Sequence, residues 1–280
     1  MGASISAILL AALLVLSSGA SIAAAQDQAT PGPGELNITF DADGYHVQET
    51  VAAGWYIVTL DNTTDNDVVA DLVLLPNGKK VDEFQKSFTT DSGDSTIPDW
   101  FEQVVFAGGP SAPAKSKGQT LVELTPGTWT VLEIGQPNGK SADLVVSQSD
   151  GPSTPPTMTA TVQVTMGPTK MEMPAQIPPG YQVWNVANTD TLTHSFALIK
   201  LPAAVTYEQL LTLLTTGVAP DSVDTTESVV VGGIGLLSGG RTIWTGFNLE
   251  PGSYAALDYV PTKDGRTFSE LGQFAVFTVQ

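Results

Sequence analysis

The chain has 280 residues, 42 % apolar and only 14 % charged, with 27 glycines and 19 prolines; this balance suits strands and turns and excludes a disordered chain, a coiled coil or a helical bundle. With 29 acids against 11 bases the net charge is −18, which opposes phosphate backbones and anionic lipid, so neither nucleic-acid nor membrane-surface binding is expected. Cysteine is absent and histidine occurs twice, which removes disulfides, thiolate metal sites and cysteine nucleophiles together.

Residues 1–25 carry an apolar run from Ala7 to Leu16, then Ser17, Ser18 and Gly19, and end in Ala23-Ala24-Ala25. This reads as a secretory signal peptide cleaved near Ala25, since the run is too short for a permanent bilayer span. The mature protein is therefore expected to be secreted or periplasmic, with no membrane insertion. Residues 26–34 read as a mobile leader.

Two copies of one unit follow. Gly54-Trp55-Tyr56 through Asp61-Asn62-Thr63 to Leu74-Leu75-Pro76 matches Gly180-Tyr181-Gln182 through Ala187-Asn188-Thr189 to Lys200-Leu201-Pro202. Ala107-Gly108-Gly109 recurs as Val231-Gly232-Gly233, and Leu124 to Trp129 recurs as Leu249 to Tyr254, at offsets of 126, 124 and 125 residues. Such self-similarity marks a duplicated structural unit. The stretch 149–157 is rich in Pro, Ser and Thr and reads as a linker, giving domains at 35–148 and 158–280.

Within each copy the segments are short, β-branched or aromatic, and bounded by turn residues. Those from Trp55 to Leu60, Ala70 to Leu74, Gln119 to Leu124 and Thr128 to Ile134 are predicted strands. Seven or so strands per copy predict an all-β molecule of two tandem Greek-key sandwiches. One short helix interrupts each. Tyr207, Leu210, Leu211 and Leu214 recur at helical spacing, with Thr206 and Gln209 as a capping box and Gly217 as the stop. Val81, Phe84 and Phe88 repeat the pattern weakly in the first copy. Asp41 to Gly44 reads as a hairpin turn, with His46 an exposed strand residue beyond it.

In the second copy Asn188-Thr189-Asp190 closes one strand, His194-Ser195-Phe196-Ala197-Leu198 opens the next, and Pro251 to Asp258 leads to a closing strand Phe274 to Val279. On these residues it resembles a cupredoxin-like (blue-copper-type) domain over most of 160–280, and the repeat extends the resemblance to the first copy. The resemblance implies copper held by a histidine at the start of the middle strand, then a cysteine, a second histidine and a methionine near the last strand. His194 occupies the first position. Asp258 stands in the cysteine's place, Pro261 to Gly272 contains no histidine, and Gln273 stands near the methionine position. In the first copy Val68 and Glu133 take the histidine and cysteine positions. Type-1 copper depends on a soft thiolate, so blue-copper electron transfer is excluded.

Two readings of the refitted positions stand open. In one, His194 and Asp258 form a hydrogen bond that closes the sandwich end, or are merely solvated. In the other, His194 and Asp258, with Met166, Met171 or Met173 nearby, hold copper or zinc weakly, although two protein ligands are too few for a tight zinc site. The acidic run from Asp61 to Asp67, with Asp71 beyond, lacks EF-hand spacing and reads as a polar turn rather than a calcium loop. Gly232 to Gly240 reads as a flexible turn, because a phosphate loop must enter a helix and this segment enters a strand. The tryptophans read as core, with Trp100-Phe101 as either an exposed patch or packing under a loop. Asn37 and Asn62 begin glycosylation sequons. The sequence thus points to a secreted, non-catalytic binding protein without a cofactor, its partner a protein or a cell surface.

Overall fold

The structure, a computed structural model, describes residues 32–87, 97–134, 140–148, 156–220 and 228–280. The expected signal peptide, most of the leader, Phe88 and linker residues 149–155 lie outside them. In the first copy the strands are β1 (Gly34–Asp41), β2 (Gly44–Val47), β3 (Thr50–Ala52), β4 (Gly54–Asn62), β5 (Val68–Val69), β6 (Asp71–Leu74), β7 (Val105–Phe106), β8 (Ser111–Ala112), β9 (Lys117–Leu124), β10 (Gly127–Leu132) and β11 (Ala142–Ser147), with helix α1 (Val81–Lys86) after β6. In the second they are β12 (Val162–Met166), β13 (Met171–Glu172), β14 (Gln176–Ile177), β15 (Gly180–Asn188), β16 (His194–Leu201), β17 (Val229–Leu237), β18 (Thr242–Leu249), β19 (Gly252–Leu257) and β20 (Phe274–Val279), with helix α2 (Tyr207–Thr216) after β16. More strands form than the seven per copy expected, because two- and three-residue pairings at the sheet edges carry no sequence pattern of their own. No helix among the described residues is long and apolar enough to cross a membrane.

The pairing order repeats between copies. β1 runs parallel to β4 and β4 antiparallel to β9, as β12 runs parallel to β15 and β15 antiparallel to β18. The second sheet orders β3-β11-β10-β6-β7 in one copy and β14-β20-β19-β16-β17 in the other. This is a cupredoxin-like β-sandwich arrangement. Alternation explains the faces: Val58 and Leu60 of β4, and Trp184 and Val186 of β15, are fully buried while their neighbours are not, as period-two geometry requires. Trp184 anchors its sandwich edge-on to Phe247 at 5.2 Å, and Trp129 fills the first copy with no exposed surface.

The repeat holds at the level of single interactions. Asn62 and Asn188, equivalent and each 1 % exposed, end β4 and β15. The Asn62 amide donates to the carbonyls of Asn66, Ala112 and Pro113, and the Asn188 amide to those of Leu192 and Leu237. Each side-chain oxygen accepts the N–H two residues on, from Thr64 and Asp190. Thr63 and Thr189 then donate their N–H to Phe40 and Met166, also equivalent positions, both at 2.9 Å. The second glycine of each Gly-Gly pair has one reason: a Cβ on Gly109 would lie 1.8 Å from the Ala70 carbonyl oxygen, and on Gly233 2.5 Å from that of Phe196.

The two copies meet by strand pairing. Leu121 and Thr120 of β9 pair with Trp244 and Thr245 of β18, fusing half of each copy into one eight-stranded sheet. Thr120 and Thr245 are equivalent in the repeat, so the contact is of the self-complementary two-fold kind. On the opposite side the Gly108 N–H donates to Leu236 O at 2.8 Å and the Ser238 N–H to Phe106 O at 3.0 Å. These bonds correct the expected flexible turn over Gly232 to Gly240. Its residues through Leu237 complete β17, which pairs antiparallel with β16 of its own copy and meets the first copy on its other edge, and the turn is confined to Ser238, Gly239 and Gly240.

Helix α2 forms as its sequence specifies: Thr206 accepts from the Gln209 N–H, Gln209 returns a bond to the Thr206 N–H donor, and Gly217 ends the helix in the left-handed region at φ 68°. Helix α1 has no side-chain cap at Lys80. Trp100 lies against Phe84 at 6.3 Å beneath Lys79, and Phe101 is 5 % exposed, so that pair is packing. Trp55 and Trp244 depart from the expected core placement. Each stands on the outer face of the large sheet, half-buried, because the register puts Trp244 opposite outward Asn185 and Trp55 opposite Glu123.

Candidate functional site

The end of the second sandwich brings together the residues that the resemblance singled out. β16 begins with His194 immediately after the loop that Asn188 closes, and β19 delivers Asp258 one residue past its end. His194 Nδ1 lies 2.5 Å from Asp258 Oδ2 and Nε2 lies 3.1 Å from Asp190 Oδ2. Both ring nitrogens thus face carboxylates, an arrangement that favours the doubly protonated imidazolium, which donates to both. Neither His194 nor Asp258 has exposed surface, and the ring is covered by Phe268 at 4.4 Å.

Asp258 is saturated from its other side. Its Oδ1 accepts the Ser195 N–H and hydroxyl, each at 3.0 Å, and the Val260 N–H at 3.1 Å. Ser269, itself fully buried, donates its hydroxyl elsewhere while its oxygen accepts the Asp258 N–H at 2.7 Å. Burial alone would lower the His194 pKa, but the hydrogen bonds and charges of Asp258 and then Asp190 outweigh it and hold the ring above its usual value. Burial would raise Asp190, and the bond from His194 overrides this and pulls it below the usual carboxylate range. Each acid stabilises the imidazolium, and the imidazolium stabilises each acid.

This arrangement does not fit a copper or zinc ion. A metal ligand needs a free imidazole lone pair, and both His194 nitrogens are committed to carboxylates. Asp258 has its oxygens engaged by four donors. The methionines are packed away: Met166 is 1 % and Met171 6 % exposed within the main apolar core, Met173 packs against that core, and β13 ends at Glu172 before reaching it. Gln273 donates its amide to Pro168 O at 2.9 Å.

At the equivalent end of the first copy Val68 is 2 % exposed and pairs with Ala112, and Glu133 offers its backbone carbonyl to Gln85 Nε2 at 3.0 Å. Its acidic loop is occupied by lysine. Lys115 Nζ donates to Thr63 O at 2.6 Å and pairs with Asp65 at 3.3 Å, and Lys117 pairs with Asp61 at 2.8 Å. Those contacts put ammonium groups where calcium would need to sit. His46 is exposed and meets Asp41 Oδ1 at 3.0 Å. Of the sequons, Asn37 is exposed on β1 and Asn62 is buried with its amide fully used.

Two residues take roles that the sequence did not disclose. Asp190 was seen only as part of an Asn-rich strand end, although a carboxylate four residues before a histidine across a closed loop was the available signal. Asp71 lies in the strand Ala70-Asp71-Leu72-Val73-Leu74, where its charge amid apolar neighbours was the clue. It is 5 % exposed and reaches across the junction, Oδ1 accepting the Leu236 N–H at 2.9 Å and Oδ2 the Ile134 N–H at 3.4 Å. Burial pushes its pKa up to about 6, against the pull of those two bonds.

No family model matches the chain, and no curated protein matches it significantly. Among solved structures, a reduced auracyanin from Roseiflexus castenholzii aligns with 42 % of this chain and 94 % of its own at 17 % identity and a TM-score of 0.28. A copper-containing nitrite reductase from Thermus scotoductus aligns with 88 % of this chain and 61 % of its own at 10 % identity and a TM-score of 0.26. A copper nitrite reductase from Nitrosomonas europaea aligns over 89 % and 94 % at 9 % identity and a TM-score of 0.26. Scores this low carry no argument about this chain's chemistry; the cupredoxin-like fold is read from its strand pairing.

Proposed function

We propose that this is a secreted, non-catalytic binding protein built from two tandem cupredoxin-like domains, 35–148 and 158–280, whose metal position has been converted into a structural ion cluster. The observation that carries the reading is the double engagement of His194 by Asp190 and Asp258. A cation cannot displace either bond without stranding a buried carboxylate. The 1–25 segment supports export, and the surplus of acids keeps such a protein dispersed outside the cell. The test is metal retention. Purified mature protein incubated with Cu(I), Cu(II) or Zn(II) and then desalted is expected to keep no metal. Retention of about one equivalent that disappears in His194→Ala would overturn the reading in favour of weak metal handling.

A further inference from the structure

The outer face of the eight-stranded sheet presents a row of aromatic rings edged mainly by uncharged polar side chains. Trp244 stands opposite Asn185 on one side and Leu121 on the other, Leu121 stands opposite Ile57, and Glu123 opposite Trp55. By the two-residue period these side chains and Tyr181 share one face. The alternate residues Val58, Val122, Trp184 and Phe247 form the buried face. Trp55 and Trp244 meet at 5.6 Å with their planes 72° apart, across the junction of the two copies. Tyr181 is 51 % exposed. Its ring lies over Gly246, where a Cβ would fall 2.2 Å from the Tyr181 hydroxyl, one same-face step along β18 from Trp244. Tyr181, Trp244 and Trp55 thus line up from β15 to β4.

Beside the row lies an open niche of about 190 Å³ lined by Trp55, Glu123, Arg241, Thr242 and Trp244. Arg241 is fixed there by donating to the Glu123 carbonyl at 3.0 Å. On this part of the face Glu123 lies in the field of Arg241 and Asp61 pairs with Lys117 at 2.8 Å, while exposed Glu35, opposite Ile57, adds one acid beside the row. The flanking outward side chains include Gln119, Asn185 and Asn248, which donate and accept without charge. In a molecule of net charge −18, this amide-edged aromatic row carries few charges. Ring faces with adjacent amides match a ligand that has apolar C–H faces and hydroxyl edges. An anionic chain is disfavoured by the overall charge.

We propose that this face binds an uncharged polysaccharide, with its pyranose rings laid along Tyr181, Trp244 and Trp55 and its hydroxyls met by Asn185, Gln119 and the Arg241–Glu123 corner. The proposal deepens the binding reading above by naming the partner's chemistry, and it involves none of the His194 cluster.

The experiment is native affinity electrophoresis of the full mature protein in gels containing hydroxyethylcellulose, glucomannan or mixed-linkage β-glucan, with polygalacturonate as the anionic control. At least one neutral polymer is expected to retard the protein. Tyr181→Ala, at a largely exposed position, is expected to weaken that retardation roughly tenfold without shifting the melting temperature, and Trp244→Ala to abolish it. Absence of retardation by all three neutral polymers, retardation by polygalacturonate alone, or retardation unchanged in both variants would overturn the proposal. Concentration-dependent dimerisation lost in Tyr181→Ala, without polysaccharide binding, would assign the face to a second copy of the chain instead. Metal retention by the protein would sink the metal-free reading without touching these outcomes.

Discussion

The same end of the two copies has been closed in two ways. In the first an apolar Val68 fills the position; in the second an imidazolium is clamped between two acids. The loop frame around both is nevertheless the same, set by Asn62 in one and Asn188 in the other. The first copy therefore acts as an internal control: its loop closes without a buried ion cluster, its ion pairs to Lys115 and Lys117 lying on the exposed side. The cluster in the second copy is an addition that ties β16 to the segment from Asp258 to Ser269. Buried ion pairs of this kind do not in general out-stabilise an apolar replacement of the whole group, yet breaking one member is costly.

That comparison can be broken most strongly at His194. His194→Val places the first copy's residue in the second and leaves Asp190 and Asp258 facing each other without a cation. Urea unfolding is expected to show a loss of about 3–5 kcal/mol. A loss below about 1 kcal/mol would mean the clamp carries little.

The next effect concerns pH. Asp71 has its folded pKa raised to about 6 from 3.8, so the native state binds the extra proton. Stability from this group is full below the unfolded value and falls as pH rises through about 6, by about 3 kcal/mol in all. The cluster acts in the same sense at higher pH: with His194 raised above 6.5, its contribution is complete below that value and is lost as pH climbs through the folded pKa. Asp190, lowered from 3.8, contributes above that value and loses its contribution on acidification. Unfolding free energies measured across pH should show the lower slope vanish in Asp71→Asn while the upper one persists. A profile identical to that of the parent protein would contradict the assignment.

The frame itself should respond alike in both copies. Asn62→Ala and Asn188→Ala each leave buried carbonyls without donors and are expected to cost about 2–3 kcal/mol apiece, as judged by chemical denaturation. A large cost in one copy alone would show that the shared geometry is not shared energetically. The smallest contrast lies in the helices. Thr206→Ala removes a capping box and should cost about 1 kcal/mol, whereas Lys80→Ala, with no cap bond to lose, should stay within about 0.5 kcal/mol; circular dichroism melts separate the two.

What the sequence disclosed and what it hid follow from the range of the interactions. Helix α2 was legible because Thr206, Gln209 and Gly217 act within a few residues of one another. The duplicated frame was legible because Asn62 and Asn188, and Gly109 and Gly233, answer the same local demand twice. The His194–Asp258 bond was legible only through the resemblance, which places two distant residues at one end. The β9–β18 junction left no trace, since it rests on two residue pairs far apart in the chain. Trp55 and Trp244 could not be told from core residues because their outward direction is decided by the β4–β9 and β15–β18 registers. Asp71 reads in sequence only as an outlier of the acidic run, because its partner, the Leu236 N–H, arrives from the other copy.

The most direct test of the central claim is the imidazole nitrogen NMR spectrum of His194 near neutral pH, recorded before and after addition of Zn(II). The account predicts two protonated ring nitrogens whose signals do not move when the metal is added. A single protonated nitrogen, with the other signal shifting as zinc binds, would contradict it.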